Sequence, residues 1–189
     1  MSVPTILDFQ EVDNFVTVRL QGTESAAGVL RTSLMYSVSS YAIEYITYDV
    51  NTSPLTDENL AHRLGMCVID NSKYTHSNTE IDFKFKGPLL VRTRDLPQLP
   101  FKHDLQIVEL REGQEINARL RLTESTGFDH IKWNPVSAPT FDTNEDGTIT
   151  LTFYNVGIWP TEELLRRGLA GFQATLDLPA EDIYSRPIV

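Results

Sequence analysis

The order of hydrophobic and polar positions predicts a mixture of helices and strands in the first third of the chain. Residues 15–20 partly alternate and are rich in β-forming side chains, which predicts a strand. Residues 25–38 place apolar and small side chains at intervals of three and four, which predicts a helix with Ser25 as its N-cap. Residues 41–50 predict a second strand, and Thr56 is suited to cap a short helix behind it.

Helical periodicity is absent from residue 67 to about residue 145. Turn signals containing Gly and Pro separate short segments that predict strands. These segments are residues 81–86, 89–94, 105–110, 115–122 and 131–140. After them, residues 148–155 predict another strand, and residues 161–176 predict a helix with Pro160 at or near its first turn.

This succession of elements predicts an α+β protein whose first domain is discontinuous. Antiparallel strands and helices in residues 1–66 and 146–189 would form that domain, and residues 67–145 would form a β-rich insert. A chain of 189 residues is long enough to bury such a core without disulfides.

The charge balance argues against direct contact with nucleic acid. The chain has 16 basic and 26 acidic residues and a formal net charge of -10, whereas phosphate binding requires clustered Lys and Arg. No segment approaches the roughly 20 apolar residues that cross a bilayer, and the N-terminus is unlike a signal peptide, so we expect no membrane contact.

Candidate chemistry is sparse. Cys67 is the single cysteine, which excludes multi-cysteine metal sites and predicts a buried, reduced thiol. Residues 142–147 copy the first half of a calcium loop, but Phe153 stands where the bidentate glutamate belongs, so a tight turn is the better interpretation. We therefore predict no catalytic residue, no metal and no cofactor.

Four segments of the chain resemble segments of one protein family, and they occur in the same order as in that family. Residues 51–66 contain Ala61, His62, Arg63, Leu64 and Gly65. Residues 107–116 form a charged Gly-Gln-Glu turn between strands, residues 126–136 contain a Lys-Trp-Asn-Pro run, and residues 159–167 begin the last helix. Together they resemble the third-largest subunit of eukaryotic RNA polymerases and, more distantly, its archaeal counterpart and the amino-terminal domain of bacterial alpha.

The resemblance implies a non-catalytic assembly subunit of a DNA-directed RNA polymerase. Such a subunit heterodimerises with a smaller subunit of the same fold, docks the second-largest subunit and joins small assembly subunits. Nucleic acid is reached only indirectly, through the complex. The resemblance places the dimer interface at Val29, Leu30, Ser33, Leu34, Leu164, Leu165, Leu169 and Phe172. It places the contacts with the large subunit at Arg31, Arg63, His130, Lys132 and Trp133.

Two departures from the family pattern matter. Many relatives hold zinc or an iron–sulfur cluster with cysteines of the insert, which Cys67 alone cannot do, and Thr32 follows Arg31 where relatives usually have a second arginine. The short chain fits a reduced subunit, as in a large DNA virus. We expect it in the nucleus or the cytoplasm, or in a virion if it is viral.

Other interpretations stay open at this stage. The same helices would serve a homodimer of the bacterial alpha type, and their apolar faces would look alike if they packed only within one monomer. Trp133 is better explained as a core or packing aromatic than as an interface hot spot. An unrelated small hydrolase or calcium-binding β-protein is the alternative from another class of function.

Overall fold

The computed structural model describes residues 2–75 and 79–177. It divides the chain into two compact units, of which unit 1 comprises Met1–Val38 with Thr126–Val189 and unit 2 comprises Ser39–Ser125. In chain order the elements are β1 (Thr5–Val12), β2 (Phe15–Gln21), α1 (Glu24–Tyr36), β3 (Ser39–Asn51), α2 (Asp57–Gly65), β4 (Glu80–Lys86), β5 (Leu89–Arg92), β6 (Gln106–Leu110), β7 (Glu115–Thr126), β8 (Val136–Thr143), β9 (Ile149–Asn155) and α3 (Thr161–Asp177).

Unit 1 is a four-stranded antiparallel sheet with two helices. The strand order is β1-β2-β9-β8, and the β1–β2 hairpin turns at Asp13 and Asn14, whose positive φ angles of 51° and 65° suit a two-residue turn. Along β9, Leu151 and Phe153 are fully buried while Tyr154 faces water, as alternation on a half-covered sheet requires. Helix α1 contacts β8, β9 and α3.

Unit 2 has its own hydrophobic core. It contains a three-stranded sheet in the order β3-β7-β4, the hairpin β5-β6, and helix α2 against β3 and β6. Thr56 accepts a hydrogen bond from the Asn59 amide, so it caps α2 as predicted. Leu60 and Leu64 of α2 bury their side chains in this core.

The α+β class is confirmed, with mostly antiparallel strands and three helices among the described residues. The compact units change at residues 38/39 and 125/126, whereas the sequence-based boundaries lie at 66/67 and 145/146. The difference arises because β3 and α2 pack in the core of unit 2 and β8 pairs with β9 of unit 1. The assignment of a separate role to each domain stays a prediction.

Several local predictions need correction. Thr23, and not Ser25, caps α1, since the Thr23 hydroxyl accepts from the Ala26 amide at 3.2 Å. Residues 131–140 are not one strand, because a 3₁₀ turn at Ile131–Trp133 precedes β8. The edge strand β1 was not predicted, and most of it is exposed. Among the described residues, no helix is long and apolar enough to cross a membrane.

Candidate interaction surfaces

Most residues predicted for a dimer interface lie inside unit 1. The side chains of Leu30, Ser33, Leu34, Leu164, Leu165 and Phe172 are each at most 2% exposed. Val29 and Leu169 are half-buried. The two helices therefore use their most apolar faces on each other and on the sheet, and the predicted contact with a partner rests on what they leave outside.

The contact between α1 and α3 is close because both helices carry small residues there. The Ser33 hydroxyl donates a hydrogen bond of 2.7 Å to the carbonyl oxygen of Gly168 in α3. A Cβ added to Gly171 would lie 2.5 Å from Ser33 Oγ and 2.8 Å from Ser37 Cβ. These distances leave no room for a larger side chain at Gly171, so the α3 backbone there packs directly against the side chains of Ser33 and Ser37.

Each helix keeps a pair of outward apolar side chains. On α1, Tyr36 is 41% exposed and lies two turns from half-buried Val29. On α3, Leu176 is 36% exposed and lies two turns from half-buried Leu169. A spacing of seven residues puts both members of a pair on one helix face. The spacing shows in the sequence that Tyr36 shares a face with Val29 and Leu176 with Leu169, whereas their exposure comes from the structure.

Three predicted docking residues lie together in one segment of unit 1. The Lys132 ammonium sits 4.3 Å from the centre of the Trp133 ring, and His130 Nδ1 accepts from the Lys132 amide. Trp133 is only 4% exposed, so its ring anchors the segment. Exposed Phe128 and Ile131 are the large apolar side chains that this segment shows to water, at 51% and 67% exposure. The sequence pattern did not predict Phe128 and Ile131 as contact residues, because the exposure of these side chains cannot be read from the sequence alone.

The two predicted docking arginines lie in different units and already have partners. Arg31 of unit 1 stacks over Phe141, with 5.6 Å from its guanidinium carbon to the ring centre. Arg63 of unit 2 donates to the carbonyl oxygen of Ile107 at 2.8 Å, which ties α2 to β6. Part of the predicted role of Arg63 is therefore internal support.

The start of α3 is fixed by a polar network. Asn155 is buried, and its amide nitrogen donates to the Trp159 carbonyl and to the Thr161 hydroxyl. Arg167 lies 3.7 Å from the centre of the Trp159 ring and bonds to Glu163. The ion pairs with Arg166 and Arg167 lower the pKa of Glu163 to about 2.

The described residues contain no group of three or more His, Cys, Asp or Glu that could hold a metal ion. Burial raises the pKa of the Cys67 thiol to about 11, which disfavours the thiolate needed for metal binding. A multi-cysteine zinc or iron–sulfur site does not fit this chain, which has a single cysteine. In residues 142–147, Asp146 bonds to Arg19 and Thr148, as in a structural turn.

These surfaces consist of helix packing contacts and exposed apolar side chains. No protein-family model matches the chain. It is 30% identical over 156 residues to DNA-directed RNA polymerase subunit Rpo3 of Methanocaldococcus jannaschii, covering 79% of this chain and 80% of that relative. It is 30% identical over 166 residues to DNA-directed RNA polymerase II subunit RPB3 of Schizosaccharomyces pombe, covering 68% and 56% of the two chains. It is 27% identical over 184 residues to subunit RPAC1 of DNA-directed RNA polymerases I and III of Saccharomyces cerevisiae, covering 71% of this chain and 54% of that relative.

The chain belongs to the family of DNA-directed RNA polymerase subunits that contains Rpo3, RPB3 and RPAC1. The predictions of this family, and of a polymerase subunit in place of a free-standing enzyme, are confirmed. The chain spans about half the length of the two fungal relatives and four fifths of the M. jannaschii protein.

Proposed function

We propose that this chain is a non-catalytic assembly subunit of a multisubunit RNA polymerase. It pairs through α1 and α3 with a smaller subunit of the same fold, and the pair docks the second-largest subunit and small assembly subunits. Membership of the Rpo3 and RPB3 family supports a role among other polymerase subunits. The net charge of -10 supports contact with nucleic acid only through the complex. Such a role places the chain in the nucleus or the cytoplasm.

One observation carries the pairing proposal. Helices α1 and α3 are held against each other, yet each still presents two apolar side chains seven residues apart, namely Val29 with Tyr36 and Leu169 with Leu176. Helices pack against each other through apolar side chains that recur at intervals such as seven residues on one face. These four residues therefore form the outward part of the proposed dimer interface. The buried residues predicted for the interface support them from inside unit 1.

The docking proposal rests on residues 127–133. Two hydrogen bonds inside this segment, from Trp133 N to the His130 carbonyl and from Lys132 N to His130 Nδ1, restrain the backbone around the exposed Ile131 side chain. Large apolar side chains on a restrained backbone lose little entropy on binding, which favours them as anchors. We assign Phe128 and Ile131 to this contact, beside His130 and Lys132, with Trp133 as their support.

The pairing proposal is tested by co-expression with the smaller same-fold subunit encoded in the same genome. We expect a one-to-one heterodimer in light scattering after size exclusion, and self-association of the chain when it is produced alone. Tyr36→Asp should abolish the heterodimer because it places a charge in the apolar interface. Tyr45→Asp is the matched control, since Tyr45 is a 62% exposed tyrosine in unit 2.

Different results would assign a different function. A stable homodimer that ignores the smaller subunit would favour an arrangement of the alpha type. A monodisperse monomer that binds no polymerase subunit would contradict the proposal. If Tyr36→Asp and Tyr45→Asp weakened binding equally, the assignment of the interface to the helix pair would be wrong.

A further inference from the structure

Ser33 has a geometry that suits a positioning role more than direct contact with a partner. It is 2% exposed, so a partner on the outside of α1 does not reach it. Its hydroxyl crosses to the other helix and donates to the Gly168 carbonyl oxygen at 2.7 Å. The Thr175 hydroxyl, by contrast, donates within its own helix α3 to the Gly171 carbonyl oxygen at 2.9 Å.

The surroundings of Ser33 leave the helix pair little freedom to shift. A Cβ on Gly168 would lie 2.5 Å from Leu34 Cδ2, and one on Gly171 would lie 2.5 Å from Ser33 Oγ. Glycine is less favourable than alanine inside a helix, so a close helix contact is a physical reason for glycine at both positions. Sliding or rotation of α3 would break a buried hydrogen bond or cause collisions with side chains of α1.

We propose that Ser33 is a positioning residue for partner binding. By fixing the spacing and rotation of α1 against α3, it sets the distance between the outward pair Val29 and Tyr36 and the outward pair Leu169 and Leu176. A partner that contacts both pairs at once binds best when that distance is constant, because it spends no binding energy on ordering the helices. This inference rests on the proposed function, since it takes the helix pair as the dimer interface.

The test compares a hydroxyl that joins the two helices with a hydroxyl that bonds within one helix. Ser33→Ala removes the bond between the helices, and Thr175→Ala removes a bond within α3. The affinity of each purified variant for the smaller same-fold subunit is measured by calorimetry at a temperature where circular dichroism shows complete folding. We expect Ser33→Ala to raise Kd about tenfold, as one lost buried hydrogen bond allows, and Thr175→Ala to leave Kd unchanged, because Thr175 lies off the face that carries Leu169 and Leu176.

A second variant and a partner-free measurement guard against loss of folding. Gly171→Ala pushes against Ser33 Oγ and should weaken binding, and the double variant Ser33→Ala with Gly171→Ala should recover part of it. Spin labels on Ser25→Cys and Ala174→Cys, both exposed, report the distance between the helices. We expect a narrow distribution in the parent chain and a broader or shifted one after Ser33→Ala.

The outcomes separate the two proposals. If the parent chain binds the smaller subunit, and fully folded Ser33→Ala binds as tightly as Thr175→Ala, the positioning role is wrong and the proposed function stands. An unchanged distance distribution in Ser33→Ala would also overturn the positioning role. If the parent chain does not bind the smaller subunit, the proposed function fails, and the inference fails with it.

Discussion

Gly127 shows how one residue holds a surface segment in place. A Cβ at this position would collide with the carbonyl oxygen of Met35 and lie 3.1 Å from Asn134 Cβ. The backbone at the start of residues 127–133 therefore lies directly on the end of α1. Since Phe128 is 51% exposed immediately after this contact, the glycine fixes where an outward apolar side chain begins.

Replacement of Gly127 by alanine should destabilise the protein. The added methyl group meets backbone atoms that cannot rotate away, and overpacking of this kind costs about 1–3 kcal/mol. Gly28→Ala is the matched control, because its nearest contacts are atoms of the Phe141 ring at 3.9 Å. That change should raise helix stability by up to about 1 kcal/mol. Urea unfolding measures both, and equal effects in the two variants would refute the collision.

At the scale of elements, the two helices of unit 1 are fixed at their N-terminal ends by polar side chains. The Thr23 hydroxyl accepts from the Ala26 amide before α1. At α3, Asn155 donates to Thr161, and the Thr161 hydroxyl donates to a carboxylate oxygen of Glu11 in β1. These bonds set where each helix begins, and so which residues face outward.

The N-cap of α1 gives a direct test of the corrected helix boundary. Thr23→Ala should lower the free energy of unfolding by about 1 kcal/mol, because an amide of the first turn loses its acceptor. Ser25→Ala should have little effect or a small stabilising one, since Ser25 is exposed inside the first turn and alanine is the better helix former. If thermal unfolding showed a larger loss of stability for Ser25→Ala than for Thr23→Ala, Ser25 would be the cap.

The ion pairs of α3 predict a pH dependence. The pKa of Glu163 is lowered to about 2, first by its hydrogen bond to Arg166. A carboxyl whose folded pKa lies below its unfolded value stabilises the protein above the unfolded pKa, and this contribution is lost as the pH falls from about 4.3 towards 2. Glu163→Gln should therefore cost about 0.5–1 kcal/mol at pH 7, and this cost should shrink as the pH falls towards 2.

The control for Glu163 is Glu162→Gln. Glu162 is exposed in the same helical turn and shares its position near the positive end of the helix dipole. Stability is measured by urea unfolding of each variant between pH 2 and pH 7. A constant difference between Glu163→Gln and the parent chain over this range would show that the ion pairs do not contribute.

At the scale of the whole molecule, the chain contains two compact units, and both proposed interaction surfaces lie in unit 1. Unit 1 holds the helix pair and residues 127–133, and unit 2 holds a continuous core cluster that includes Leu60 and Ile116. Neither unit contains a potential metal cluster among its described residues.

Metal removal should leave this protein intact. Dialysis against EDTA is expected to leave the unfolding temperature unchanged, because the single cysteine, Cys67, is buried with a raised pKa. Calcium titration should give no heat, since Asp146 is already bonded to Arg19 and Thr148. A fall of several degrees in EDTA, or saturable calcium binding, would contradict the absence of a metal site.

The sequence by itself determined the α+β class, most strand positions, the capped helix α2 and the family resemblance. These features depend on local periodicity, on capping and turn chemistry, and on the order of segments, which a linear chain displays. It also fixed the number of cysteines and the acidic balance. The prediction of helices at residues 25–38 and 161–176 came from the same periodicity and matches α1 and α3 to within a few residues.

Only the tertiary structure decided which apolar residues are available to a partner. An apolar stripe has the same appearance in sequence whether it packs inside the chain or against another molecule, because the hydrophobic effect is non-directional. Packing assigned Leu30, Ser33 and Leu34 to the interior, and left Tyr36 and Leu176 outside. The edge strand β1 also depended on its partner, since pairing with β2 gives it a conformation that its own exposed residues do not specify.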